Sequence, residues 1–309
     1  GMEFTPDGRF LFIANLSEPV ITVLDGRTFE FVKRIIPEDK AYHTGGFVEI
    51  GIPPQNDAVL ASKMTTNSVH IIPLAGERAL EIDKSISTHG TWSKVIAFSK
   101  GGKMFAVSNW VSRDVSLFSY PELSFITKVK IPGIPRGLIF TDDDTSLYVS
   151  NYSTGQLHRV DTKVWKVTET ITPARVGALR HLALDGSRNL LYASDMRRNC
   201  IYIYNLTQAK IVANIPVDYH PNTIALSPDC KYLFVSCRGP NSPKSYLERS
   251  PRSGTLYVID CLAQKVVDIR ELGNQPTALA VHPSGQYLSV SNFRDNNIEI
   301  YRIDYREGE

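Results

Sequence analysis

The 309-residue sequence is short of most features that would assign a chemistry at once. No window approaches the run of about 18 apolar residues that a bilayer-spanning helix needs, so no such helix is expected. No charged-then-apolar leader opens the chain. Net charge is nearly absent: 34 Lys+Arg against 32 Asp+Glu leave +2, and nucleic acid is not the expected partner. Only four cysteines occur, Cys200, Cys230, Cys237 and Cys261, and their spacing matches no zinc or haem motif. There is no Gly-x-Ser-x-Gly, no His-Glu-x-x-His, no Asp-rich calcium loop and no Gly-rich phosphate loop. From the residues alone we therefore expect no metal, no cofactor and no assignable catalytic residue.

What the chain has is a repeat. TPDGRFLFIAN (5–15), SKGGKMFAVSN (99–109), TDDDTSLYVSN (141–151), SPDCKYLFVSC (227–237) and HPSGQYLSVSN (282–292) share one pattern, a polar turn followed by a short β-prone run. The last residues of such runs are Asn15, Lys63, Asn109, Asn151, Asp195, Cys237 and Asn292, at intervals of 48, 46, 42, 44, 42 and 55. Periods of about 40–50 residues indicate solenoids or propellers, and all-β content selects the propeller. Each unit offers an apolar run before the turn, the marker strand, an alternating third strand and often a fourth. A meander of this kind cannot cover both its faces alone, but radial stacking buries them. The expectation is an all-β, seven-bladed propeller of four-stranded antiparallel blades, one domain over residues 1–309.

Two units depart from the pattern. In unit two, Gly51 to Asp57 replaces the tight turn and Lys63 stands at the marker. The chain also begins inside a repeat and stops after the third strand of unit seven. Either that blade has three strands, or upstream residues complete it. An upstream export signal, absent from this sequence, is compatible with that start.

LYVSN (147–151), LFVSC (233–237) and TLYVIDCLAQKVVDI (255–269) resemble the YVTN-type propeller repeats of bacterial and archaeal surface and exported proteins. The architecture is similar to that of nitrite reductase haem-binding propellers and seven-bladed lactonases. No Cys-x-x-Cys-His is present to carry over the haem. The resemblance implies a periplasmic, extracellular or cell-surface location, and it leaves activity open, since a fold does not carry a function.

In a four-stranded blade the first strand lines the axis. The loops before it and between strands two and three therefore share one face, the top. Lys94, Arg136, Arg180, His181 and His220 fall at the starts of inner strands, with His43 near the equivalent place. Arg198, Arg238 and Arg294 stand with Arg113, Arg197, Lys244, Arg249 and Arg252 in top loops, while Asp7, Asp57, Asp142, Asp143, Asp144, Asp185 and Asp229 fall on the other face. A cationic mouth would focus on an anion, and Arg suits carboxylate or phosphate. The alternative is plain: turns favour Asp for local hydrogen bonding, and basic loops then merely balance the count. Trp92, Trp110, Tyr152 and Phe293 near the rim would stack on a ligand or plug between blades. The 55-residue interval holds a top loop, residues 238–254, either a recognition element or an insertion without a role.

Two constellations remain. Taking Cys237 opposite Gly254 places Cys230 opposite Cys261 and makes a disulfide geometrically conceivable, against four free thiols. His181 and His220, from neighbouring blades, would serve as general base or metal ligand if they met, or else bond adjacent loops. The reading is a monomeric binding or scaffold propeller at the cell envelope, contacting an anionic small molecule, a glycan or a protein partner through its top face. A lactonase-like hydrolase working in the axial pocket is the alternative.

Overall fold

The computed structural model describes residues 1–304 as seven antiparallel sheets arranged about one axis, six of four strands and one of three. Consecutive inner strands touch in turn around the ring, and the inner strand of blade 7 (Pro276–Val281) touches that of blade 1 (Met2–Phe4), which closes it. Among the described residues blade 7 has three strands, so its third strand (Asn297–Arg302) is the outer edge. Blade 2 is complete despite its altered turn. Its inner strand shrinks to Ile50–Gly51 because Pro53 and Pro54 follow at once. Lys63 is fully buried there; its Nζ donates to the Gly45 carbonyl and lies 5.0 Å from the Phe47 ring centroid.

Blade faces explain the marker strands. Leu147-Tyr148-Val149 and Leu233-Phe234-Val235 are buried throughout, because a central strand meets a neighbouring blade on each side. Burying one such large side chain contributes about 1.5–3 kcal/mol.

The serine before the marker residue in blades 2 to 5 has a different task. Ser62, Ser108 and Ser150 donate to the carbonyls of Lys94, Arg136 and Arg180, each in the inner strand of the next blade, at 2.5, 2.9 and 3.0 Å. Their hydroxyls also accept the Glu49, Val95 and Gly137 N–H of their own blades. Ser194 repeats the pattern with the Asn222 carbonyl at 3.0 Å and the His181 N–H at 3.1 Å. The inner strands of blades 3 to 5 are bulged at this point, which frees carbonyls for the hydroxyls and presents the rim residues at the axis. The repeat thus stitches blade to blade at the level of the mouth.

The acids of the bottom face are turn builders. Asp7 accepts from Thr5 Oγ1 (2.6 Å) and the Arg9 N–H, Asp143 from Thr141 (2.6 Å) and Thr145, and Asp229 from Ser227 (2.6 Å) and Lys231. Local hydrogen bonding accounts for their placement, so charge asymmetry between faces does not by itself indicate a ligand.

The cysteine pairing fails by one residue. Cys237 faces Thr255, not Gly254, and Cys230 lies in the turn at φ +56. All four cysteines are free, with Cys200, Cys237 and Cys261 buried. Reducing agent should therefore leave the unfolding temperature unchanged; a fall of several degrees on reduction would reveal a bridge.

Candidate functional site

At the top of the axis the rim residues of consecutive blades converge on a cavity of about 760 Å³ lined by Glu49, Lys94, Arg136 and Arg180, with Thr223 and Thr277 completing the ring. Arg136 is only 7 % exposed, its Nη2 lies 3.6 Å from Glu49 Oε2, and its buried Nη1 has no partner. Arg180 donates through Nε to Asn222 Oδ1. Lys94 Nζ lies 5.6 Å from the Trp92 ring centroid and 5.5 Å from that of Trp110, and contacts Met64 Sδ at 3.0 Å. Tyr152 packs on Trp110 with centroids 4.8 Å apart. Trp92 is about half exposed, so this aromatic clamp opens to solvent beside the mouth.

The electrostatics follow from crowding. Burial, then Arg136 and Arg180, pull the Lys94 ammonium down to about 7, with Glu49 opposing. Burial and the facing Arg136 also depress Arg180, and burial depresses Arg136 against the pull of Glu49. Burial would raise the Glu49 carboxyl, but the Gly1 amino group, Arg136 and Arg180 hold it below its usual value. Lys94, Arg136 and Arg180 thus share the one carboxylate of Glu49, and the same lining also carries Arg294, Glu18 and the Gly1 amino group, so positive charge is in excess.

A second cavity of about 340 Å³ continues down the axis, lined by Glu3, Glu49 and His181 among inner-strand residues. Burial, then Glu49, push the Glu3 carboxyl up to about 8. Burial lowers His181 to about 4 against the pull of Glu49, with Arg180 and Arg136 adding to burial, so its ring is neutral at neutral pH; its buried Nδ1 has no partner.

The residues picked out from sequence do not all gather here. Lys94, Arg136, Arg180 and Arg294 line the upper cavity, and Arg294 lies 5.6 Å from the Phe293 ring. His181 lines only the lower one. His220 is turned away at φ +55, bonding the Gly239 carbonyl at 2.9 Å, so it holds a loop and does not join His181. Arg198 is exposed on a top loop and reaches the Val176 carbonyl at 3.4 Å. Arg238 is spent on Gln275 Oε1 (2.6 Å) and the Tyr246 carbonyl, yet its charge still bears on Arg180. The 238–254 loop is tied to blade 7 through Gln275, Asn274 and Asp295. Among the described residues no cluster of three His, Cys, Asp or Glu could hold a metal ion.

Sequence reading missed Glu49 and Glu3. Glu49 occupies the repeat position of Val95, Gly137 and His181, one residue after that of Lys94, Arg136 and Arg180, a signal that the broken turn of unit two concealed.

A closed ring of seven antiparallel blades with a charged axial mouth defines the chain as a seven-bladed β-propeller. It belongs to the family described as Lactonase, 7-bladed beta-propeller, matched over residues 1–122 and 204–309. It is 36 % identical to Antigen Lp49 of Leptospira interrogans over 96 % of this chain, and spans 66 % of that protein's length. It is 24 % identical to a 6-phosphogluconolactonase of Formosa agariphila, over 69 % of this chain and 67 % of the relative. A Kuenenia stuttgartiensis hydrazine synthase chain superposes with a TM-score of 0.82 over 98 % of this chain and 94 % of its own, at 16 % identity, a likeness of fold alone.

Proposed function

We propose that this propeller binds an anionic ligand in its axial mouth and acts as a binding module at the cell envelope. The observation that carries the reading is the buried, unpartnered Nη1 of Arg136 inside a cavity that gathers Lys94, Arg136 and Arg180 against one carboxylate. An unpaired buried guanidinium nitrogen is costly, and a carboxylate or phosphate oxygen is its natural complement. The Trp92 and Trp110 clamp offers a stacking wall for the body of such a ligand, and a glycan or protein partner bearing an acidic group meets the same chemistry. The YVTN-like repeats and the antigen named among its relatives support the envelope location.

Titration with inorganic sulfate, a fixed anion, tests the mouth. Wild-type protein should bind it, and joint Arg136→Met and Arg180→Met substitution should weaken binding at least about tenfold. Glu49 loses Arg136 in that variant, so some stability is lost, and binding is compared at a temperature where both proteins are folded. Equal binding by the two proteins rejects the proposal.

A second reading, opening of a lactone in the same cavity, is favoured by the electrostatic coupling of the Glu49 carboxylate to the neutral His181, and by the 6-phosphogluconolactonase among the relatives. Glu49 and His181 would then act as base and hydrogen-bonding partner on a carbonyl held by the arginines.

A further inference from the structure

The junction of blades 7 and 1 lacks bonds that its counterparts make. In blades 3 to 7 the residue after the marker donates its N–H to the loop that enters the inner strand of the same blade: Trp110 to the Trp92 carbonyl (3.0 Å), Tyr152 to Ile134 (2.8 Å), Met196 to Ala178 (3.0 Å), Arg238 to His220 (3.2 Å) and Phe293 to Gln275 (3.0 Å). In blade 1 the equivalent N–H, that of Leu16, has no hydrogen-bond partner among the described residues.

The side chains agree. In blades 2, 4 and 5 the marker holds the incoming loop: Lys63 Nζ donates to the Gly45 carbonyl, Asn151 bonds the Pro132 carbonyl (2.9 Å) and the Ile134 N–H (3.1 Å), and Asp195 accepts the Ala178 N–H (2.9 Å). Asn15, the marker of blade 1, is half-buried, and among the described residues its side chain bonds nothing. On blade 7, Ser291 Oγ accepts the Ala278 N–H at 3.0 Å, yet it donates to no carbonyl of blade 1, whereas Ser62, Ser108, Ser150 and Ser194 each reach the next blade.

These groups lie along one groove. Asn15, Leu16 and Ser291 line the upper cavity, which runs from Gly1 at the axis out to Thr22 and Asn297 in the third strands of blades 1 and 7. Beyond it is the open edge of the third strand of blade 7, an edge that carries a fourth strand in the other six blades. Ile298, Ile300 and Tyr301 are only half-buried there, while the third strand of blade 5 (Cys200–Asn205) is buried over all but its last residue.

One extended backbone satisfies every one of these groups. Fourth strands Phe125–Lys130, Lys210–Pro216 and Lys265–Glu271 lead through residues 131–134, 217–220 and 272–275 into the next inner strand. A segment taking that course past blade 7 offers carbonyls to Leu16 N–H and Ser291 Oγ, and a ladder partner to Asn297–Arg302. Met2 pairs with Ile13 as Leu138 pairs with Val149, so Gly1 stands where Gly137 does, and the residue ahead of it takes the place of Arg136.

We propose that this edge and groove are the seat of an extended segment of the same polypeptide, joined to Gly1, which forms the fourth strand of blade 7 and places one further side chain on the rim of the mouth. The match to Antigen Lp49 covers 96 % of this chain but 66 % of that protein, so a relative carries chain beyond the propeller. A second copy pairing edge to edge would cover Asn297–Arg302 and leave Leu16 and Ser291 bare.

Mass spectrometry of the protein isolated from the cells that make it should show at least about ten residues ahead of Gly1. A native chain starting at Met2 overturns the proposal. In that longer protein, hydrogen exchange at Leu16 and at the outward amides of Asn297–Arg302 should be at least about tenfold slower than in residues 1–309. Equal exchange overturns it as well. Asn15→Ala should leave the unfolding temperature of residues 1–309 unchanged and lower that of the longer protein; equal shifts in both count against the seat. Grafting a copy of residues 125–135 and one serine ahead of Gly1 repeats the exchange measurement with a segment that already serves blade 3, so the seat is tested even where the longer protein does not fold. Dimerisation of residues 1–309 with protection confined to Asn297–Arg302 assigns the edge to a second copy and rejects the proposal. No anion enters these measurements, so this proposal and the reading of the mouth stand or fall separately.

Discussion

Glu49→Gln should bind sulfate about tenfold more tightly than the wild-type protein while unfolding at about 3 kcal/mol lower stability, two effects of opposite sign from one atom's change. Of the two carboxylates that line the upper cavity, Glu18 pairs with Arg34 at 2.7 Å, and Glu49 is the one whose charge bears on Lys94, Arg136 and Arg180. Neutralising it leaves three cations with nothing but an incoming anion to balance them. The free protein loses the partner of Arg136, a residue with 8 % side-chain exposure facing a Glu49 side chain at 20 %. Breaking a pair so placed costs about 3–5 kcal/mol, and cavity water reaching Glu49 favours the lower end. Calorimetric titration gives the first quantity and urea unfolding the second. If Glu49→Gln changes neither, the carboxylate is not the counter-charge of the mouth.

The same variant separates the two functional readings. A binding site that uses Glu49 only as a counter-charge is improved by its removal. A hydrolase that uses Glu49 as a base loses turnover whatever happens to affinity, by about 10²–10⁴-fold for a group in that role. Assay with a lactone bearing an acidic group, run beside the sulfate titration, therefore assigns Glu49 to one role.

Most of the fold was legible because the strands obey a period of two and the turns carry Asp, Gly or Pro at fixed offsets. The third strand of blade 6 runs Thr255–Asp260, as its alternation indicates, and the fourth strand of blade 3 runs Phe125–Lys130. Register was legible only to within one residue, because nothing in sequence fixes which residue faces Cys237 once an insertion as long as 238–254 separates the partners; Thr255 does so, and Cys230 and Cys261 stay apart. In the site, Lys94, Arg136 and Arg180 were readable from their common place in the repeat. His220 was not, because its position suggests the mouth while its left-handed backbone aims the ring at Gly239. Glu49 hid behind the Pro53-Pro54 break, although a Ser62 hydroxyl binding its N–H marks it as the repeat position of His181, one residue after that of Lys94, Arg136 and Arg180. Side-chain direction, not residue type, is what sequence left undetermined.

The marker asparagine itself supplies the remaining large effect. Asp114→Ala should cost about 3–5 kcal/mol of stability, enough to rank with a core truncation. Asp114 is fully buried at the start of the third strand of blade 3 (Asp114–Ser119). Its Oδ1 accepts from Asn109 Nδ2 at 3.0 Å and Ser112 Oγ at 2.9 Å, and its Oδ2 from Lys130 Nζ at 3.0 Å with Lys128 at 3.7 Å. Asn109 in turn donates to Ser116 Oγ, which donates to the Thr88 carbonyl, and accepts from Ser93 Oγ. The loop that enters the inner strand is thereby fixed to the far end of the marker strand, one residue from Lys94. Truncation at Asp114 leaves buried donors on Asn109 and Ser112 without acceptors, whereas Asn109→Ala removes donor and acceptor from the same network. The double variant should then cost less than the sum of the two singles, with a coupling of about 0.5–3 kcal/mol in urea unfolding. Strict additivity would show that the two side chains do not act as one fastening, and would detach the repeat's terminal asparagine from the positioning of the mouth.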